Sequence, residues 1–176
     1  GMNQSGVNAA GKPYANMFFY NGGMGATQIR DGATCLSWPS NVSSTSIELS
    51  EQIAPLRFRH KKLRPDSGGP GRYRGGLGQE IMMESRSPTP IAVSFLAERT
   101  IFPAFGIEGG GPGAPGELHI NGEKVDPKRQ YVLKTGDTVR MGTPGGGGHG
   151  DPAERDAAAL QRDMTAGYVT EASKYR

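Results

Sequence analysis

The densest collection of chemistry-bearing side chains lies on Leu63-Arg64-Pro65-Asp66-Ser67-Gly68-Gly69-Pro70-Gly71-Arg72-Tyr73-Arg74-Gly75-Gly76-Leu77-Gly78. Arg64, Asp66, Ser67, Arg72 and Arg74 are the binding candidates here, on a glycine-stiffened loop between two expected strands. Guanidinium forks bind carboxylates or phosphates through paired hydrogen bonds, so one reading is an anion-binding loop. The other reading pairs the three arginines with Asp66 and backbone carbonyls, which would hold a long loop rigid. Residue types alone leave both open, with the balance toward the second.

Catalytic constellations are absent elsewhere. His60, His119 and His149 are far apart, and no His-x-x-x-His or Cys/His spacing offers a metal site. Ser40 follows Trp38-Pro39 without a Gly-x-Ser-x-Gly elbow. Cys35 has no basic neighbour to activate its thiolate and reads as structural. No catalytic residue and no metal ligand is therefore expected.

Five glycine clusters punctuate the chain: 22–25, 68–71, 75–78, 109–113 and 145–150. Successive backbone N–H groups can form an anion-binding nest, and the last cluster leads into a capped helix. Yet the Walker pattern is missing, and Gly145–Gly150 ends the β region instead of opening a βαβ unit. Asp151 also places negative charge where a phosphate would sit. Tight turns and close backbone crossings are the favoured reading.

These residues must be positioned by a mainly-β scaffold. The 28 glycines and 13 prolines in 176 residues fall just under the roughly 25–30% at which disorder becomes the default. The apolar residues come in short, spaced runs, as in a folded domain. Strands are expected over 15–20, around Ile47 and Leu49, and over 55–63, 79–84 and 91–96, the last central to its sheet. A hairpin is expected over 117–125 with Asn121-Gly122 as its turn. A second pair, 131–134 and 138–141, is expected around Thr135-Gly136-Asp137. Strands spaced by about ten residues suggest a barrel or sandwich. No helical periodicity is visible before residue 150.

Beyond it, Asp151, Pro152 and Glu154 form a helix-start signal, with Leu160 and Met164 on one face and Gly167 as the stop. Thr170-Glu171-Ala172 opens a second short helix. The expected architecture is mainly β, barrel- or sandwich-like, with two short C-terminal helices, α+β overall. Residues 1–12 are expected to be disordered or left over from expression, 13–150 to form the β domain, and 151–176 a helical tail packed on it.

The net charge of +3 is mild. The one dense basic run, Arg57–Arg64, alternates with apolar residues as a half-exposed strand would. Its aromatic residue, Phe58, falls in that strand alternation and no recognised module is present, so nucleic acid is not an expected partner. A single cysteine excludes an internal disulfide and fits a reducing compartment. No membrane span or signal peptide is visible, so a cytoplasmic location is expected.

Three segments together resemble the C-terminal region of hydantoinase B-type subunits, the hydantoinase B/oxoprolinase family that includes N-methylhydantoinase B and acetone carboxylase alpha-like chains. They are Phe19–Ala26 with Asp31-Gly32, Ser40-Asn41 through Glu48 and on into Leu63–Gly78, and Thr143–Pro152 followed by Glu154-Arg155-Asp156, Asp163, Gly167-Tyr168-Val169 and Glu171-Ala172. Asn41, in the second segment, joins the binding candidates. The resemblance implies a B-subunit part of an ATP-dependent cyclic-amide hydrolase. Its partners would be a hydantoinase A-type, ATPase-like subunit, the missing N-terminal part of the B subunit, and a small cyclic amide as substrate. ATP and Mg would sit on the partner subunit, with no cofactor on this chain. Metal ligands of the family's carboxylase branch lie upstream of the matched region, and His149 stands where the family often has Tyr. ATP-dependent ketone carboxylation and a non-catalytic binding or assembly module remain the alternatives.

Overall fold

A computed structural model describes residues 1–8, 10–37, 42 and 44–175. Two antiparallel sheets face each other across one apolar cluster. The first contains β1 (Met2–Val7), β2 (Pro13–Phe18), β5 (Ile91–Phe95) and β8 (Gln130–Leu133), in the order β2-β1-β5-β8. The second contains β3 (Leu56–Leu63), β4 (Gln79–Ser85), β6 (Glu117–Ile120), β7 (Glu123–Lys124) and β9 (Thr138–Gly142), in the order β3-β4-β9-β6-β7. Met2, Ile91, Val93 and Leu133 point inward from the first sheet to meet Leu56, Ile81, Met83, Leu118 and Val139 from the second. This is the sandwich form of the expected mainly-β domain, with α1 (Ile47–Ile53) against β3 and α2 (Ala157–Thr165) near the C-terminus.

Several expectations need correction. The N-terminus is not frayed: β1 lies between β2 and β5, and Met2 is fully buried. Its polarity concealed it, because Gln4 is also buried and donates to the Tyr14 hydroxyl at 2.6 Å. Ile47 and Leu49 belong to a helix, not a strand. Ser46 caps it by accepting from the Leu49 N–H, and Glu48 occupies its first turn. Residues 131–134 and 138–141 do not pair, because β8 joins the first sheet and β9 the second. The expected turn still forms, with Asp137 accepting from the Lys134 N–H at 2.7 Å, but it carries the chain across the sandwich.

In the tail, Asp151 caps a single 3-10 turn at Pro152–Glu154, and α2 starts only after Asp156, whose carboxylate accepts from the Ala159 N–H. The second expected helix is a 3-10 turn at Ala172–Tyr175. Met164 is exposed, and the buried residue of α2 is Asp163.

Beside the sandwich, the glycine clusters assemble into an array of extended segments. Gly145–Gly148 runs through its middle, and successive residues bond to different neighbours. The N–H groups of Gly145, Gly146 and Gly148 donate to the carbonyls of Ala114, Gly76 and Gly111 at 3.1, 3.0 and 2.9 Å, while Ala26 N–H donates to Gly147 at 2.9 Å. In the direction where a side chain would project there is more backbone. A Cβ on Gly145, Gly146, Gly147 or Gly148 would lie 1.7, 1.8, 1.9 or 2.0 Å from the carbonyl oxygens of Ser67, Met24, Phe105 and Pro70. None of these four has a positive φ, so they are glycine for space and not for backbone freedom. As at the axis of a collagen triple helix, only glycine leaves room where main chains crowd this closely. Close crossings, not turns, are the main use of the clusters.

Gly146→Ala is therefore expected to abolish folding or destabilise by more than about 4 kcal/mol, the range of exceptional core damage. Gly122→Ala, in an open hairpin turn, is expected to cost about 1 kcal/mol through its positive φ alone. Urea denaturation of both variants checks the contrast.

Candidate functional site

The arginine-glycine loop runs from the end of β3 to the start of β4, and its residues divide sharply by environment. Arg64 turns inward: Nη1 donates to the carbonyl of Pro115 at 2.6 Å and that of Thr143 at 3.3 Å, and Nη2 pairs with Glu117 at 2.5 Å. Ser67 is fully buried; its hydroxyl donates to the Arg64 carbonyl at 2.6 Å and accepts from the Gly78 N–H at 3.0 Å. Asp66 occupies the left-handed region at φ 55°, which aspartate tolerates better than most residues. Its carboxylate accepts from the backbone N–H and the hydroxyl of Thr170. Burial would push the Asp66 carboxyl up, but these bonds, the Glu171 N–H and the charge of Lys174 hold it below its ordinary value.

Arg74 is buried at the centre of an ionic lock. Its Nε donates to Asp163 at 3.1 Å and its Nη1 to the Gly75 carbonyl at 2.7 Å. Arg155 reaches the same Asp163 oxygen at 2.5 Å and grips Asp31 with a two-pronged contact at 2.9 and 2.8 Å. The Arg74 N–H closes the circuit on Asp31 at 2.8 Å. Burial raises the Asp31 carboxyl, yet Arg155, through its bonds and charge, and the Arg74 N–H outweigh this and leave it lowered. The guanidinium of Arg74 stacks over Tyr168 and that of Arg155 over Tyr175, each 5.7 Å from the ring centroid. Burial, partly offset by Arg155 and Arg74, pushes the Tyr175 hydroxyl up to about 12. The lock thus joins the loop, the segment after Asp31 and the tail.

Arg72 has a different setting. Its side chain is 57% exposed, with Nη1 3.8 Å from Glu154 and the guanidinium over the Tyr73 ring. It lines a cleft of about 560 Å³ with Gln28, Tyr73, Ile107, His149 and Glu154, bordered by Glu108 and Asp151. Tyr73 and His149 exchange backbone hydrogen bonds at 2.9 Å in both directions, which fixes the floor of the cleft.

Of the sequence candidates, the loop brings Arg64, Ser67 and Arg74 into the interior, places Asp66 against the tail, and leaves Arg72 on the surface. Asn41 lies outside the described residues. Asp31, Arg155 and Asp163 were not foreseen as partners; Asp31 and Arg155 are 124 residues apart, and no spacing rule joins them. The three histidines are dispersed: His60 pairs with Glu80 at 2.9 Å, the His119 Nδ1 is buried without a partner among the described residues, and His149 edges the cleft. Among the described residues no group of three or more His, Cys, Asp or Glu could hold a metal, and no helix is long and apolar enough to cross a membrane. Burial, eased by Gln79 and Lys61, raises the Cys35 thiol to about 11, so little thiolate is present near neutral pH.

Residues 1–152 match the model of the Hydantoinase B/oxoprolinase family. The chain is 36% identical over 137 residues to an uncharacterised protein of Methanocaldococcus jannaschii, covering 76% of this chain and 24% of that one. It is 31% identical over 197 residues to the caprolactamase subunit beta of Pseudomonas jessenii, covering 94% and 32% respectively. A nucleotide-free acetone carboxylase, an enzyme of ATP-dependent carboxylation, shares the fold with a TM-score of 0.81 at 22% identity, over 98% of this chain and 28% of that one. The chain belongs to the Hydantoinase B/oxoprolinase family, and it spans about a quarter to a third of the length of these relatives.

Removing Asp163 would leave the buried Arg74 guanidinium without its anion and Arg155 with Asp31 alone. Asp163→Ala is expected to destabilise by about 3–5 kcal/mol, whereas Arg72→Ala should stay within about 0.5 kcal/mol of wild type. Chemical denaturation followed by circular dichroism measures both.

Proposed function

We propose that this domain works within an ATP-dependent cyclic-amide hydrolase of the hydantoinase/5-oxoprolinase type, alongside an A-type, ATPase-like subunit in the cytoplasm. The observation that carries the reading is the similarity to a caprolactamase subunit over 94% of the chain, together with the hydantoinase B/oxoprolinase family match. A cyclic amide is a weak electrophile because its nitrogen donates into the carbonyl. Phosphoryl transfer from ATP to the amide oxygen would release ADP and leave an electrophilic imidate carbon. Water would add there, the C–N bond would break as the nitrogen takes up a proton, and a second water would release phosphate from the resulting acyl phosphate. The partner subunit would hold ATP and Mg for the phosphoryl transfer.

The role that fits this chain is support. Arg64, Ser67 and Arg74 spend their donors inside the fold, so their side chains brace the loop. Arg72 is the loop arginine positioned to meet another surface, and its exposed guanidinium suits a carboxylate or phosphate there. Ketone carboxylation is the second reading, supported by the fold shared with acetone carboxylase, and the same assay separates the two.

The test is to co-purify the chain with its A-type subunit and measure ADP release with hydantoin, 5-oxoproline, a simple lactam, or acetone with bicarbonate. ADP release is expected with a cyclic amide and only when both proteins are present. Arg72→Ala is expected to lower it about tenfold or more without lowering the melting temperature. Release driven by acetone alone would replace the hydrolase with a carboxylase, and turnover by the isolated chain would overturn the supporting role.

A further inference from the structure

Several large apolar side chains near the Arg72 cleft are exposed. Ile101, Phe102, Phe105 and Ile29 are 78%, 81%, 76% and 75% exposed, and Ile107 is half exposed. Two of the six phenylalanines of the chain stand in this one region. Single exposed apolar residues are ordinary, but a contiguous group with a polar border marks a binding surface.

Ile29, Phe105 and Ile107 share one support, and Phe102 lies three residues before Phe105 on the same loop. Ala26 N–H bonds Gly147 just before the Thr27–Arg30 turn that carries Ile29, and Ile107 N–H bonds Gly148 at 3.0 Å. The carbonyl of Phe105 occupies the space where Gly147 lacks a Cβ. The same glycine run therefore holds both apolar loops. Further bonds stiffen the second loop: Gly113 N–H donates to Ala104 at 2.9 Å and Gly110 N–H to Ile107 at 3.0 Å. A face held this way is preformed, so docking on it loses little conformational entropy. Ile107 and Gln28 also line the cleft with Arg72, Glu108 and Glu154, which gives the apolar centre a charged border of both signs. An apolar centre with a polar rim is the usual anatomy of a protein interface.

The lengths of the relatives point to the occupant. The chain covers 24% of the Methanocaldococcus jannaschii protein and 32% of the caprolactamase subunit beta, and its fold superposes on 28% of the acetone carboxylase chain. In each, a matching domain travels with a body two to three times its own size. Permanent contacts are more apolar than transient ones, and a body carried in the same assembly throughout is a permanent neighbour.

We propose that the face formed by Ile29, Phe102, Phe105 and Ile107 docks against the body of a hydantoinase B-type subunit, the part of such chains outside the region this chain matches. The proposal rests on the reading of this chain as a working hydantoinase B-type domain, and it is independent of the substrate. Whether that body is joined to this chain or separate, it presents an apolar surface to Phe102 and Phe105 and polar groups to Arg72 and Glu154.

The test replaces Phe105 with photoreactive p-benzoylphenylalanine in the full chain, expressed in its own cells, with irradiation and mass spectrometry of the cross-linked peptides. Cross-links to hydantoinase B-type sequence outside the matched region are expected. Phe102→Ser with Phe105→Ser is expected to reduce association with that body about tenfold or more, as loss of central aromatic anchors does, while the melting temperature stays unchanged. Cross-links to the A-type subunit, to a second copy of this chain or to nothing would overturn the proposal, as would wild-type association of the double variant. Cross-linking to the B-type body without amide-dependent ADP release would leave this face standing and remove the hydrolase reading.

Discussion

Gly145–Gly148 has main chain on every side, and much of this half of the molecule depends on that contact. Four neighbouring carbonyl oxygens, from Ser67, Met24, Phe105 and Pro70, stand where side chains would otherwise begin. Removing the Cβ lets extended segments approach closely enough to exchange hydrogen bonds in several directions, where a sheet allows only two. Backbone groups in a buried region must find partners, and here the partners come from 22–26, 67–78 and 104–114. The β-sandwich follows the usual logic of two apolar faces packed together. The glycine array follows another, in which the main chain itself fills the interior.

Such an array has few side chains of its own with which to bind the rest of the fold. The ionic lock supplies that connection. Arg74 leaves the array between Tyr73 and Gly75, and Asp163 on α2 meets it together with Arg155. A buried ion pair is weak evidence for net stability, because desolvation offsets most of the attraction. Its contribution here is to position: Arg74, Arg155, Asp31 and Asp163, with fixed geometry, hold α2 in one place. Tyr168 and Tyr175, stacked on the two guanidinium groups, extend the same role into the tail.

Legibility in the sequence followed the range of the interactions. The Asn121-Gly122 hairpin was readable because its turn demands positive φ at both positions, and they adopt 52° and 85°. β3, β4 and β5 were readable from short apolar runs. β1 was not, because its inward residues include Gln4, whose burial depends on Tyr14 across the hairpin. The helix at Ile47–Ile53 reads as a strand in the sequence because seven residues fit both periods, and its one distinguishing signal is the cap at Ser46. β8 and β9 kept their turn and lost their pairing, since a turn does not specify which sheet each flank joins. At the candidate site, residue types showed that the loop arginines mattered without separating Arg72 from Arg74. That separation depends on Asp31 and Asp163, distant in sequence and visible only once folded. The family resemblance drew those segments together and left their contacts unspecified.

The glycine array is a buried, hydrogen-bonded core despite lying outside any strand or helix. Amide hydrogen exchange resolved at single residues tests it most directly. The Gly69, Gly76, Gly146 and Gly148 amides, which donate to Gly146, Met24, Gly76 and Gly111, are expected to exchange as slowly as those of Ile81 and Met83 in β4. Exchange of these glycine amides at the rates of an open loop would contradict it.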